Sequence, residues 1–136
     1  MALDPDRYRS LSGFRYALRR FLAASEEISR RAGVTQQQYQ VLLAIKAAEN
    51  AVPTMSGLAE QLLLTHHAAV QMIDRLAEAG LAERRSSAKD GRLVLLHLTE
   101  KGEALIEELA THHLAEILRQ EPVLRRSLNQ LKRLAD

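Results

Sequence analysis

Cysteine is absent from all 136 residues, which excludes a disulfide framework, a thiolate metal site and a thiol-based redox sensor. Aromatic residues make up only 4%. The apolar supply is therefore mostly leucine and alanine, a composition that favours helix. No apolar run reaches the roughly 18 residues that mark a membrane-spanning helix, and the start of the chain lacks a secretory signal pattern. The expectation is a soluble cytoplasmic protein with no membrane partner. Missing too are a nucleophile elbow, a glycine-rich phosphate loop, and any pocket-forming set of paired carboxylates or Cys/His ligands. The chain is thus expected to be no enzyme and to need no cofactor, and its length suits one domain.

An excess of one charge is also lacking, since 19 basic residues face 17 acidic ones. The placement is uneven, however. Residues 1–33 carry Arg7, Arg9, Arg15, Arg19, Arg20, Arg30 and Arg31 against Asp4, Asp6, Glu26 and Glu27. Between 54 and 98, Arg75, Arg84, Arg85, Lys89 and Arg92 are cancelled by Glu60, Asp74, Glu78, Glu83 and Asp90. Any claim of binding to a polyanion must rest on local placement, not on bulk charge.

What the chain does have is helical periodicity. Asp4 is placed to cap a helix that opens on Pro5. Leu11, Phe14, Leu18, Phe21, Ser25, Ile28 and Ala32 then recur at alternating steps of three and four, up to Gly33. A helix of about 42 Å is long for a domain this small, so the stripe calls for a partner chain. Thr35 with Gln38 forms a capping box, followed by an apolar face of Tyr39, Leu42, Leu43 and Ala47. A break at Pro53 and a restart at Thr54 predict a short helix burying Leu58, Ala59 and Leu62. A second helix, capped by Thr65, turns Ala69, Met72, Ile73 and Leu76 inward and stops at Gly80. Two short helices around a tight turn make a helix-turn-helix pattern.

"LAERR" and "RLVLLHL" follow as short β-compatible runs, with Asp90-Gly91 as the turn signal between them. Such a hairpin directly after the second helix is a wing. Thr99 then caps a helix that Pro122 is expected to interrupt, leaving a last short helix with Leu124, Leu128 and Leu131. The predicted order is α-α-α-α-β-β-α-α: mainly α with a small β-hairpin wing, a winged helix-turn-helix with long N- and C-terminal dimerisation helices. Within a single domain of residues 1–136, the DNA-binding core is assigned to 34–98 and the dimerisation helices to 4–33 and 99–136.

Taken in order and spacing, "VTQQQYQVLLAI", "LAEQL", "DRLAEAGLAERR", "KDGR" and "LTEKGEALI" resemble the MarR family of transcriptional regulators over nearly the whole chain. The resemblance implies a homodimer whose first and last helices interleave, through Leu11, Phe14, Leu18, Phe21, Leu109, Ile117, Leu124, Leu128 and Leu131. It implies double-stranded DNA as the partner, read as a pseudo-palindromic operator, and a ligand-responsive repressor. By the same resemblance, Phe14, Leu18, Tyr39 and Leu43 could line a crevice for a small aromatic effector.

Helical period places His66, His67, Val70, Gln71 and, in part, Arg75 on the face opposite the buried one, and the capping Thr65 joins them as a DNA-binding candidate. Adjacent histidines on a helix diverge by about 100°, so His66 and His67 are poorly placed to share a metal ion. At the start of a helix both can instead donate to phosphates or base edges. Gln71 suits adenine and Val70 a thymine methyl. Arg84, Arg85, Lys89, Asp90 and Arg92 belong to the wing. In the resemblance, Asp90 orients Arg92 for a narrow minor groove, where arginine is favoured. Two positions depart from the pattern, Leu63 where such turns often have glycine and Gly57 where an acidic residue would complete a capping box. Glu108, His112 and Glu116 share one helix face and are the candidate metal ligands of a zinc-responsive member. The alternative to DNA binding is a winged-helix module for protein contacts, which the neutral core favours.

Overall fold

The computed structural model describes residues 4–48, 54–87, 89, 91 and 94–135. Seven elements follow in order: α1 (Pro5–Arg31), α2 (Gln36–Ala47), α3 (Met55–Gln61), α4 (His66–Glu78), β1 (Ala82–Ser86), β2 (Val94–Leu98) and α5 (Glu100–Ala135). They group into two compact units, one of residues 29–110 and one joining 1–28 with 111–136.

The unit 29–110 is a winged helix-turn-helix. Its helices start where their caps dictate. Thr35 Oγ1 accepts from the Gln38 amide at 3.0 Å, while Gln38 Oε1 accepts from the Thr35 amide at 2.9 Å. This closes the capping box and satisfies two helix-end donors. Thr54 and Thr65 cap α3 and α4 in the same way, accepting from Gly57 at 3.1 Å and Ala68 at 3.0 Å. A Cβ at Gly57 would stand 3.2 Å from Thr54 Oγ1, a tight contact with the capping hydroxyl. The turn before α4 holds Leu63 at φ 55° with its side chain 93% exposed. A leucine is therefore kept in the left-handed region, at a cost of about 1 kcal/mol.

The core of this unit is aliphatic. Leu42, Ala69, Ile73, Leu76, Leu96 and Leu109 are essentially inaccessible. The apolar face of α2 differs from the expected one. Tyr39, Val41, Leu42, Ala44 and Ile45 are buried, whereas Leu43 is 39% exposed and Ala47 lies on the surface. α2 is covered on adjoining sides by α3, α4 and β2, so a stripe wider than a single heptad seam is enclosed. Leu109, expected at a dimer interface, is 1% exposed within one chain and belongs to this core. β1 and β2 pair antiparallel with Ala82 opposite Leu98, Arg84 opposite Leu96 and Ser86 opposite Val94. A bridge between Thr54 and Leu95 ties the start of α3 to the wing.

The other unit pairs α1 with the latter part of α5. Asp4 accepts from the Asp6 amide at 2.9 Å and starts α1 on Pro5. Ser25 Oγ lies 3.0 Å from His113 Nδ1, and both residues are buried. Here the structure corrects the sequence expectation that Pro122 divides two helices, because α5 runs unbroken from Glu100 to Ala135 with Pro122 inside it. The chain therefore has five helices among its described residues, not six. Proline removes one donor, the one that would reach the Leu118 carbonyl. Pro122 and Leu118 are both exposed, so the side of the helix that loses the bond faces solvent, and the apolar periodicity continues on either side.

Candidate nucleic-acid interface

α4 buries one face completely and leaves the other free. Ala69, Met72, Ile73 and Leu76 face the core. On the opposite side His66, His67, Gln71 and Arg75 are exposed and Val70 is half-buried. His67, Gln71 and Arg75 follow at steps of four, so they line one edge of the helix. Thr65 is exposed but its hydroxyl is engaged as the cap. The remaining amides of the first turn point outward along the helix axis, where an anion is favoured. The expected reading residues are thus brought together on one outward surface.

The wing is less simple than the sequence suggests. Arg84 Nη2 donates to Asp74 Oδ1 at 2.6 Å, so this arginine braces β1 to α4. Arg85 is held by Glu83 of the same strand, with Nε donating at 2.8 Å. Both pairs are solvent-exposed and contribute little to stability, but they fix where the two cations point. Lys89 is exposed near the tip. Asp90 and Arg92, the pair expected to enter a minor groove, lie outside the described residues. Asp74, which no sequence pattern singled out, is the residue that joins wing to helix.

A second feature legible only in three dimensions is the joint behind α4. Gly80 ends the helix at φ 73°. Thr99, the residue before α5, donates its hydroxyl to the Gly80 carbonyl at 2.6 Å and its amide to the Leu81 carbonyl at 3.1 Å. Its Oγ1 accepts in turn from the Gly102 amide at 3.0 Å. Lys101 Nζ adds a bond to the Ala79 carbonyl at 3.0 Å. The carbonyls just past the end of α4 are therefore satisfied by Thr99 and Lys101, while those of Arg75, Leu76 and Ala77 take the amides of Ala79, Leu81 and Gly80. Gly102 is forced by this approach, since a Cβ there would stand 2.0 Å from the Leu81 carbonyl oxygen.

Other expected sites are placed as follows. Phe14 and Leu18 are half-buried on α1, Tyr39 is buried in the winged-helix unit and Leu43 is exposed there. Burial also raises the Tyr39 phenol above its ordinary range. Among the described residues no three His, Asp or Glu side chains are gathered as a metal ion requires. The Glu116 carboxylate accepts from Arg119 at 2.6 and 2.9 Å and from Gln120 at 2.9 Å. Those hydrogen bonds, Arg119 first, hold it below the usual carboxylate range. Ile117, Leu124, Leu128 and Leu131 line an open apolar groove of about 700 Å³ along α5, edged by Glu121, Arg125 and Lys132. Among the described residues no helix is long and apolar enough to cross a membrane.

A helix-turn-helix whose second helix exposes a polar face, followed at once by a two-stranded wing, defines a winged-helix module. Residues 32–93 match the profile of the MarR family. The chain is 34% identical over 82 residues to the HTH-type transcriptional regulator FarR of Neisseria gonorrhoeae, covering 60% of this chain and 55% of that protein. It is 35% identical over 99 residues to the organic hydroperoxide resistance transcriptional regulator of Bacillus subtilis, covering 73% and 65%. The chain thus spans between about half and two thirds of these relatives' length. Among solved structures, AbsC of Streptomyces coelicolor, a MarR family transcriptional regulator, shares the fold at TM-score 0.78 and 23% identity, covering 88% of this chain and 81% of AbsC. A mutant MarR from E. coli complexed with operator DNA matches at TM-score 0.69 and 26% identity, covering 89% and 86%.

Proposed function

We propose that this chain is a sequence-specific DNA-binding transcriptional regulator. It acts as a homodimer on a pseudo-palindromic operator and as a repressor relieved by a ligand. The observation that carries the reading is the outward face of α4, where His66, His67, Gln71 and Arg75 stand exposed over a fully buried inner face. Each protomer lays α4 in a major groove and its wing over the flanking minor groove. Half-sites are then about 10 bp apart, one turn of the duplex. The regulator names of its relatives and the operator-bound MarR structure support this assignment.

The dimer reading is supported by the apolar groove on α5. Four of the expected interface residues, Ile117, Leu124, Leu128 and Leu131, line it together. Leu11 on α1 is also exposed. A second copy covers such surface more readily than water does. The family resemblance alone supports a small aromatic effector. With no cysteine in the chain, any response to oxidants does not run through a thiol.

The test is fluorescence anisotropy on the duplex upstream of the chain's own gene, across salt concentrations. Binding that steepens as salt falls marks phosphate contacts, because each neutralised phosphate releases counterions. Arg92→Ala should weaken binding to every sequence and flatten the salt slope, whereas Gln71→Ala should relax sequence preference. The balance of charge between residues 54 and 98 favours a second reading, a winged helix that docks on protein. Binding indifferent to salt would select it.

A further inference from the structure

We propose that His66 and His67 engage DNA as imidazolium ions, so that DNA binding by this chain takes up protons and tightens on acidification. The inference rests on α4 being the DNA-reading helix and adds a regulatory input to that site. Its starting point is a shortage of positive charge. Arg84 is bound to Asp74 and Arg85 to Glu83. Arg75 and Lys89 are then the only permanent cations of α4 and the wing outside an ion pair among the described residues. Each further cation that meets a phosphate adds to affinity through counterion release. The two exposed histidines at the leading end of α4 can add to the cations there.

Histidine is the side chain that ordinarily changes charge between pH 5 and 8. Protonation also turns each ring from one N–H donor and one acceptor into a donor at both nitrogens, which suits phosphate oxygens. Neither imidazole has a hydrogen bond or ion pair among the described residues. The charged and titratable groups around α4 are few. The helix itself carries Asp74, bound to Arg84, with Arg75 and Glu78. From α3 comes Glu60, and from α2 come Tyr39 and Lys46, the latter paired with Glu103 at 2.8 Å. β1 carries Glu83, Arg84 and Arg85. None of these is bonded to His66 or His67.

The sign follows from the phosphate. A phosphate held against an imidazole favours the charged ring, so binding and proton uptake are coupled. Affinity gained this way is fully present below the free histidine pKa and is lost as pH rises through the value in the complex. Each unit by which DNA raises one histidine changes affinity about tenfold. Because the two rings diverge by about 100°, they meet separate DNA groups and their effects add.

The experiment is anisotropy with the full chain at constant ionic strength from pH 8 to 6. The probes are the upstream duplex and a scrambled duplex of equal length. The wild type should tighten at least about tenfold over that interval. His66→Gln/His67→Gln, exposed substitutions in a residue that favours helix, should bind with less than about twofold change. His97→Gln on β2 should keep the wild-type slope. Salt-steep binding with no pH dependence overturns the proposal and leaves the DNA reading intact, as does a double variant with the wild-type slope. Absence of salt-dependent binding to either duplex at every pH overturns the DNA reading itself.

Discussion

Replacing Gly102 by alanine should destabilise the protein, against the usual preference of helices. Alanine at a helix interior is ordinarily better than glycine by about 1 kcal/mol. At position 102 the added carbon would lie 2.0 Å from the Leu81 carbonyl oxygen, 3.0 Å from its carbonyl carbon and 3.4 Å from its Cα. These are backbone atoms and no side-chain rotation relieves the contact. The first turn of α5 must move away by more than an ångström, and the Thr99 bonds to Gly80 and Leu81 stretch with it. Overpacking of this kind costs about 1–3 kcal/mol, and two weakened hydrogen bonds add about 1 kcal/mol each. Less the alanine preference, the net loss is about 2–4 kcal/mol. At this chain length that lowers Tm by roughly 10 °C. The assay is thermal unfolding followed by circular dichroism at one fixed protomer concentration, because an oligomer's Tm depends on concentration. Ala104→Gly, at an exposed site two residues on, should cost only about 1 kcal/mol and report the ordinary propensity. A Gly102→Ala protein as stable as wild type would refute the account of the joint.

Three further substitutions probe other parts of the fold. Leu63→Gly relieves the left-handed backbone at φ 55°; the freer unfolded chain offsets part of that, so urea unfolding should show a gain between zero and about 1 kcal/mol, and a loss would contradict it. Ile73→Ala empties a fully buried position on the inner face of α4 and should cost about 2–5 kcal/mol by denaturant titration. Burial, with the neighbouring His112 second, holds the His113 imidazole below its ordinary range beside Ser25. Its folded pKa is thus below the unfolded one, so its contribution is present above the unfolded value near 6.5 and fades as pH falls through the folded value. Stability measured at pH 7.5 and 5.5 should therefore fall on acidification, and His113→Gln should reduce that fall; an unchanged difference would show that the titration lies elsewhere.

The parts of the fold written in local chemistry were legible without a structure. Thr35, Thr54, Thr65 and Thr99 each cap the helix the sequence assigns them, because a cap needs only a hydroxyl and the amide three residues on. The inner face of α4 followed from period alone. What escaped depends on neighbours distant in sequence. Pro122 looked like a break, yet a helix absorbs one missing donor when the freed carbonyl faces water. Leu109 and Leu43 exchanged roles, one into the core and one onto the surface, because the width of a buried stripe is set by how many elements cover it. Sequence assigns Arg84 to the wing as a DNA contact, and its ion pair with Asp74, ten residues earlier, depends on how β1 meets α4.

The same distant contacts explain how a small core can present a reading surface at all. Side chains on α4 can discriminate bases only if the helix is held to within a fraction of an ångström. Its inner face is anchored by packing that Ile73 and Leu76 complete. Its start is fixed by Thr65, its flank by Arg84 through Asp74, and its end by the Gly80–Thr99–Gly102 joint. Two of these constraints use polar groups that could otherwise have faced outward, and the flank brace neutralises a cation at the surface where a polyanion would be met. A surface made precise in this way is poor in permanent charge. Groups that gain charge only under the right conditions then set its affinity, which is the part His66 and His67 are placed to play.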